Sequence, residues 1–278
     1  MRTQNFLPSR PGILAGVCGL GLLMTLSGCV TEPYTGRSQF IFTSSNMEAS
    51  MSLDSWKQIL EKEKPSANAA MCAAVERVGS AIQAVAGKPD YEWEFRVLQS
   101  DQANAFCLPG GKVAVYEGLF QYMENDAELA CVVAHEVGHA LARHGGERMS
   151  QAMAVQAGAL GLSLALGSQT DVNRERWLMA YTGIATVGYI LPYSRTQEYA
   201  ADQIGLMLMA KAGYDPDAAL AFWERFSQKS GGRSTPEFLS THPVGANRIA
   251  KLQELVPKAV LEYEIADQKR GLGAKYAK

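Results

Sequence analysis

Hydrophobic positions recur along this chain with two periods, and the switches between them mark its elements. From Met47 to Lys64, Met51, Leu53, Trp56 and Leu60 fall roughly on one helical face, and Pro65 stops the run. Asn68 to Ala86 continues in the same style with Met71, Val75, Val78, Ile82 and Val85, closed by Gly87 and Pro89. The period then drops to two. Tyr91, Trp93, Phe95 and Val97 alternate with Glu92, Glu94 and Arg96, which predicts a half-buried strand from Tyr91 to Leu98. Asn104 to Leu108 is a second short strand, Pro109-Gly110-Gly111 a turn, and Lys112 to Tyr116 a third strand. Gly118-Leu119-Phe120 leads into a short helix.

After this small sheet the helical period returns. Glu128 to His144 is almost wholly apolar, with Asn125 placed as N-cap and Glu128 three residues on, a capping-box pattern. Gly145-Gly146 is expected to end that helix. Residues Ala152–Leu166 and Met179–Leu191 are apolar stretches too short to span a membrane comfortably. Buried helices of the domain are the favoured reading; a hairpin that dips into a membrane or covers a site is the alternative. Ser194 to Ala212 is a further helix closed by Gly213, and Asp215-Pro216 starts another that carries Phe222, Trp223 and Phe226. Thr241 is placed to cap a last helix from Pro243 to Leu255, with Pro257 ending it and a mobile tail after Gln268. The expected fold is α+β and mainly helical, with a small sheet packed beside the apolar helix.

Charge changes little in this picture. The 278 residues carry 26 Lys+Arg and 28 Asp+Glu, and no basic run marks a nucleic-acid surface. The N-terminus does add something. Arg2 and Arg10 precede an apolar run from Ile13 to Leu26, which ends Leu26-Ser27-Gly28-Cys29. That tetrad resembles the lipobox of bacterial lipoproteins, where the signal is cut before a cysteine that then carries lipid. Residues 1–28 are thus expected to be a signal peptide, 29–46 a lipidated tether beginning at Cys29, and the address periplasmic, on the outer membrane. Among Cys72, Cys107 and Cys131 no CxxC pair occurs, and the sequence leaves their pairing open.

The chemistry sits in the apolar helix. His135-Glu136-Val137-Gly138-His139 puts two imidazoles four residues apart, hence on one face, with a carboxylate next to the first. Two ligands and a proton acceptor are what a hydrolytic zinc needs. A third ligand is required. His144, five residues after His139, turns away from that face in a regular helix and is read as a surface or helix-end residue. Glu198 is the better candidate, with Asp202 one turn on placed to accept a hydrogen bond from a ligating histidine. His242 is a further possible ligand.

These residues carry a resemblance. His135-Glu136-x-x-His139 with Glu198-x-x-x-Asp202 resembles the gluzincin pattern. Asn104-Ala105-Phe106 with Pro109-Gly110-Gly111, Gly118-Leu119, and Ser240-Thr241-His242-Pro243 with Arg248 make it similar to the HtpX and CAAX-prenyl-protease family of zinc metallopeptidases. The N-terminal segment and Tyr34-Thr35-Gly36-Arg37 point to the bacterial lipoprotein branch. The resemblance implies a peptidase domain over 47–257, with 258–278 a C-terminal tail. It implies Zn²⁺ held by His135, His139 and Glu198, Glu136 as base, and His242 or Arg248 near the developing oxyanion. His242 can instead close the fourth coordination position. A substrate would add as an extended strand along Asn104, Ala105 and Phe106. The implied role is quality control: cleavage of unfolded or misassembled envelope proteins. The competing class is a lipid-anchored chaperone or assembly factor whose zinc is latent or structural. The chain departs from the membrane-embedded members in lacking a pair of full-length spans, which argues against prenyl-protein processing.

Overall fold

A computed structural model of the chain describes residues 29–167, 171–185, 191–229, 236–272 and 276. The expected signal peptide, 1–28, lies outside them. The described residues divide into two compact units.

The smaller unit takes its described residues from Met1–Glu32, Gly36–Thr43 and Gly146–Ser194. Strands β1 (Cys29–Thr31) and β2 (Ser38–Phe40) pair antiparallel, with Cys29 opposite Phe40. Gly36 takes the left-handed φ of +73° that the tight connection needs. Arg37 then forks onto the buried carboxylate of Glu147 at 3.0 and 2.6 Å. Two helices complete the unit: the greater part of α4 (His144–Ala165) and all of α5 (Asp171–Ala185). Their sequences were expected to be buried. They are helical, but no residue of α5 is buried, and Leu160, Leu164 and Ile184 are 63%, 74% and 74% exposed. The apolar residues of α5 lie all round it among Asp171, Asn173, Arg174, Glu175 and Arg176, so no single stripe faces a core.

The larger unit holds the rest. Helix α1 (Ser45–Lys62) is capped by Ser44 and α2 (Ala69–Val85) by Asn68, each side chain accepting from the backbone N–H three residues on. A three-stranded sheet follows, ordered β3-β5-β4. Central β5 (Lys112–Tyr116) runs parallel to β3 (Glu94–Leu98) and antiparallel to β4 (Ala105–Leu108), with Ala105 opposite Val115. A 3-10 turn (Glu117–Tyr122) leads to helix α3 (Asp126–Leu141), every residue of which is buried. Helices α6 (Leu191–Lys211), α7 (Asp217–Ser227), a one-turn α8 (Glu237–Thr241) and α9 (Ala246–Glu264) close the core around it.

Several boundaries differ from the sequence reading; β3 starts at Glu94 and not Tyr91, and α9 at Ala246 and not Pro243. Gly145-Gly146 does not end the apolar helix; both lie in the first turn of α4, and the reversal falls on Arg143, the one non-glycine at positive φ (54°) among the described residues. Thr241 closes α8 instead of capping α9, and Pro257 lies inside α9. The end of the chain is also fastened. Arg270 N–H donates to Gly213 O at 2.7 Å, Tyr276 N–H to Glu124 O at 2.7 Å, and the Tyr276 hydroxyl to Asp126 at 2.8 Å.

What positions the site is the crossing of α3 and α6. Each helix offers a glycine there. A Cβ on Gly138 would stand 2.9 Å from Ala201 O, and one on Gly205 would stand 2.8 Å from His135 N. The obstacles are backbone atoms, so they cannot rotate aside. These two glycines let the helices approach until His135 and His139 meet Glu198 and Asp202. Gly205→Ala is therefore expected to destabilise the fold by about 1–3 kcal/mol and to lower bound zinc. Gly183→Ala on α5, with nothing within 4 Å of the added methyl, should be neutral or slightly stabilising. Chemical denaturation with a metal assay on each variant checks both.

Candidate metal centre

Helix α3 carries His135, Glu136 and His139 because its first turn is well anchored. Asn125 Oδ1 accepts from Glu128 N at 3.0 Å, and Glu128 reaches back to Glu124 N at 2.7 Å. Arg225 closes on the same Glu128 at 2.6 Å, while Arg77 grips Asp126 with two bonds, 2.7 and 2.8 Å. The helix thus keeps its register two turns further on, where His135 and His139 are.

Across the glycine crossing, α6 presents Glu198 and Asp202. Glu198 Oε2 lies 3.4 Å from His135 Nε2, and Glu198 Oε1 lies 3.3 Å from His139 Nε2. The two Nε2 atoms are 3.1 Å apart. His242, between α8 and α9, brings Nδ1 to 3.3 Å from His135 Nε2 and 3.1 Å from Glu198 Oε2. Ligands 2.0–2.1 Å from a tetrahedral ion sit roughly 3.3–3.4 Å from each other. The spacings named here are close to that value, and one donor atom from each of His135, His139, Glu198 and His242 lies within 4.8 Å of the others, so the four could hold a zinc ion. All four are buried. Four donors packed this closely, three of them imidazole, have no comparable use without a cation.

The surroundings fix each group. Asp202 Oδ1 accepts the His135 Nδ1–H at 2.9 Å, as the four-residue spacing suggested. Arg248 on α9 forks onto Asp202 at 2.6 and 2.7 Å and touches Glu198 at 3.0 Å. The Trp223 ring lies under its guanidinium, 4.5 Å away. Phe238 stacks on His242 at 4.5 Å. Burial alone would push His135 down, but the Asp202 and Glu198 carboxylates win and push it up to about 9. Burial outweighs the pull of Glu198 on His139 and pushes it down to about 3. Burial also works against the Glu198 charge, yet the hydrogen bonds from His135 and His139 hold it well below the usual carboxylate range. Asp202 is lowered too: burial opposes its charge and Arg248 overcomes that.

Other expected site residues fall in different places. Glu136 is buried, with Oε1 3.4 Å from His242 Nε2, on the metal side. Arg248, one of the two residues expected near the oxyanion, is the charge partner of Asp202 and Glu198 inside the core, and it also lies 3.4 Å from His135 and from the carbonyls of His242 and Pro243. Strand β4 does lie at the sheet edge against α3. Its alternation sends Ala105 and Cys107 toward the main core that includes α3, while Phe106 packs on Trp56 and Tyr116 on the opposite face. Asn104 precedes the strand, its carbonyl accepting from Tyr116 N. Cys29 is exposed at the start of β1, and Cys72, Cys107 and Cys131 form no disulfide. His144 is the clear miss. It is fully buried, with Nδ1 2.8 Å from His139 Nδ1. The left-handed turn at Arg143 brings it back to a face that a continuous helix would have denied it.

Comparison with known proteins bears on all of this. A metalloendopeptidase of Schizosaccharomyces pombe mitochondria, OMA1, is 36% identical over 241 residues, covering 84% of this chain and 68% of that protein. Its Saccharomyces cerevisiae namesake is 32% identical over 276 residues, 92% of this chain and 76% of the relative. The β-barrel assembly-enhancing protease of Escherichia coli is 30% identical over 184 residues, 63% of this chain and 37% of that protein. The two yeast relatives are mitochondrial by name, which overturns the periplasmic, outer-membrane address expected from the N-terminal residues. The model of peptidase family M48 matches residues 48–256. That match starts in α1, ends in α9 and takes in every metal-side residue described above: the chain belongs to peptidase family M48 and is a zinc metalloendopeptidase.

Proposed function

We propose that the enzyme cleaves extended or unfolded stretches of polypeptide as part of protein quality control, with His135, His139 and Glu198 as zinc ligands. The observation that carries this is the buried group of four donors with Glu136 beside it, one residue round the helix from His135. Zinc bound there supplies Lewis acidity toward the scissile carbonyl. The side chains do the rest. Glu136 takes the proton of the attacking water and hands it to the leaving amine. Asp202 fixes the His135 ring, and Arg248 keeps the two carboxylates ionised within the core. Strand β4 has its outer edge free of any other strand among the described residues. A substrate laid along that edge in extended form would pass close to α3, where Glu136 lies. A folded protein has no such strand to give, which is why unfolded or misassembled chains are the substrates. The name of the Escherichia coli relative, a protease tied to assembly, agrees with that substrate class.

The peptidase reading is favoured over a chaperone with a structural zinc, because a structural site has no use for Glu136. A second feature concerns control. His242 supplies a fourth donor to the cluster, and four protein ligands make a closed site. In this reading the resting enzyme is latent, and displacement of His242 opens the position that chemistry needs.

Two outcomes are expected. Glu136→Gln should keep its zinc and lose cleavage of a reduced, alkylated protein by about 10²–10⁴-fold; full activity in the zinc-loaded variant would remove Glu136 as the base. His242→Ala should keep zinc and raise basal cleavage, read in the same assay with metal content measured alongside. Unchanged zinc with lower cleavage would make His242 an assistant to the reaction.

A further inference from the structure

We infer that His144 is a positioning residue for the zinc ligand His139, held in place by a strained turn that Glu48 clamps. The inference rests on the reading of His135, His139 and Glu198 as zinc ligands. His139 turns Nε2 toward Glu198 and His135, so its only other polar atom is Nδ1. That atom is 2.8 Å from His144 Nδ1, the two rings crossing at 73°. A neutral imidazole has one ring proton. If Nε2 gives its lone pair to zinc, the proton is on Nδ1, and His144 Nδ1 must be the acceptor. His144 therefore carries its own proton on Nε2. The bond selects the tautomer of His139 that binds metal and fixes the plane of its ring. Asp202 does the same for His135. Each histidine of the motif thus has a dedicated partner, one anionic and one neutral.

The backbone supports this assignment independently. A histidine five residues past His139 on an unbroken helix would point elsewhere. Helix α3 stops at Leu141, Arg143 takes φ 54°, and α4 begins at His144. Left-handed geometry is costly for a residue with a Cβ, and glycine is the usual choice there. Arg143 is held in it by two hydrogen bonds to Glu48 of α1, Nε at 3.1 Å and Nη2 at 2.7 Å. Glu48 is buried, so the pair is not a loose surface contact. Strain of this kind persists where surrounding structure enforces it. Here the position it enforces is that of His144, fully enclosed beside a metal ligand.

The test uses zinc affinity, measured by chelator competition on the full chain, beside the thermal melt of the metal-free protein. His144→Leu removes the acceptor while filling much of the space. It should weaken zinc binding by roughly 10–100-fold with little change in the metal-free melt. His144→Asn places an amide oxygen near the lost Nδ1 and should recover most of that affinity. Wild-type affinity in His144→Leu, or equal losses in both variants, would overturn the inference. If the wild type itself takes up no zinc, the ligand assignment fails instead, and the two failures are told apart by that control. Should His144→Leu not fold, ¹⁵N NMR of histidine-labelled, zinc-loaded wild type decides. The expected result is His144 protonated at Nε2 only; a proton on its Nδ1 overturns the proposal.

Discussion

Two carboxylates lie within the apolar core of this protein, and everything at the site depends on their staying ionised there. An uncompensated charge at that depth would cost several kcal/mol, about as much as a domain has to spare. Arg248 answers it by bonding Asp202 through two nitrogens and standing 3.0 Å from Glu198. Its delocalised plane lies on Trp223, which tolerates a weakly hydrated cation better than it would an ammonium. The arginine is thus spent on the enzyme's own acids. With Asp202 anionic, His135 is oriented; with Glu198 anionic, the four-donor group has its carboxylate. The glycine crossing of α3 and α6 is the steric counterpart of this electrostatic condition. One brings the groups together and the other lets them remain charged.

Much of the arrangement could be read in the sequence because it is local. Asn125 and Glu128 announce the start of α3 by chemistry that acts within four residues; Asn125 caps as expected, while Glu128 accepts from Glu124 N, one residue before the N-cap. His135 with His139, and Glu198 with Asp202, are paired by helical period alone. That the two pairs face each other was inferred from the need for a third ligand, which is chemistry and not geometry. Alternation located β3, although it starts at Glu94 and not Tyr91, and the central β5 falls where expected, Lys112–Tyr116.

What escaped is what depends on distant contacts or on one unusual dihedral angle. No period reveals that Arg143 is left-handed, because Glu48, which holds it so, lies 95 residues away. The misreading of His144 followed from that single angle. The resemblance placed Arg248 near the site, but the sequence does not show that it bonds Asp202 and Glu198. In α9, Pro257 was taken as a stop, yet the helix runs to Glu264. The apolar content of α4 and α5 was taken for burial, whereas burial follows from a stripe, and α5 has none.

The metal cluster is drawn from three separate stretches, with His135 and His242 107 residues apart and Arg248 six residues further on. This bears on how the enzyme comes into being. At roughly 5–20 residues per second, the interval between making the first ligand and the last is on the order of 5–20 s. Through that interval a nascent chain carries the histidine pair and Glu136 without the carboxylate ligand at first, and later without the arginine that lets that ligand stay charged. A peptidase assembled in this order has no working site while it is itself an unfolded chain. Competence arrives only with the long-range contacts that complete the core around α3.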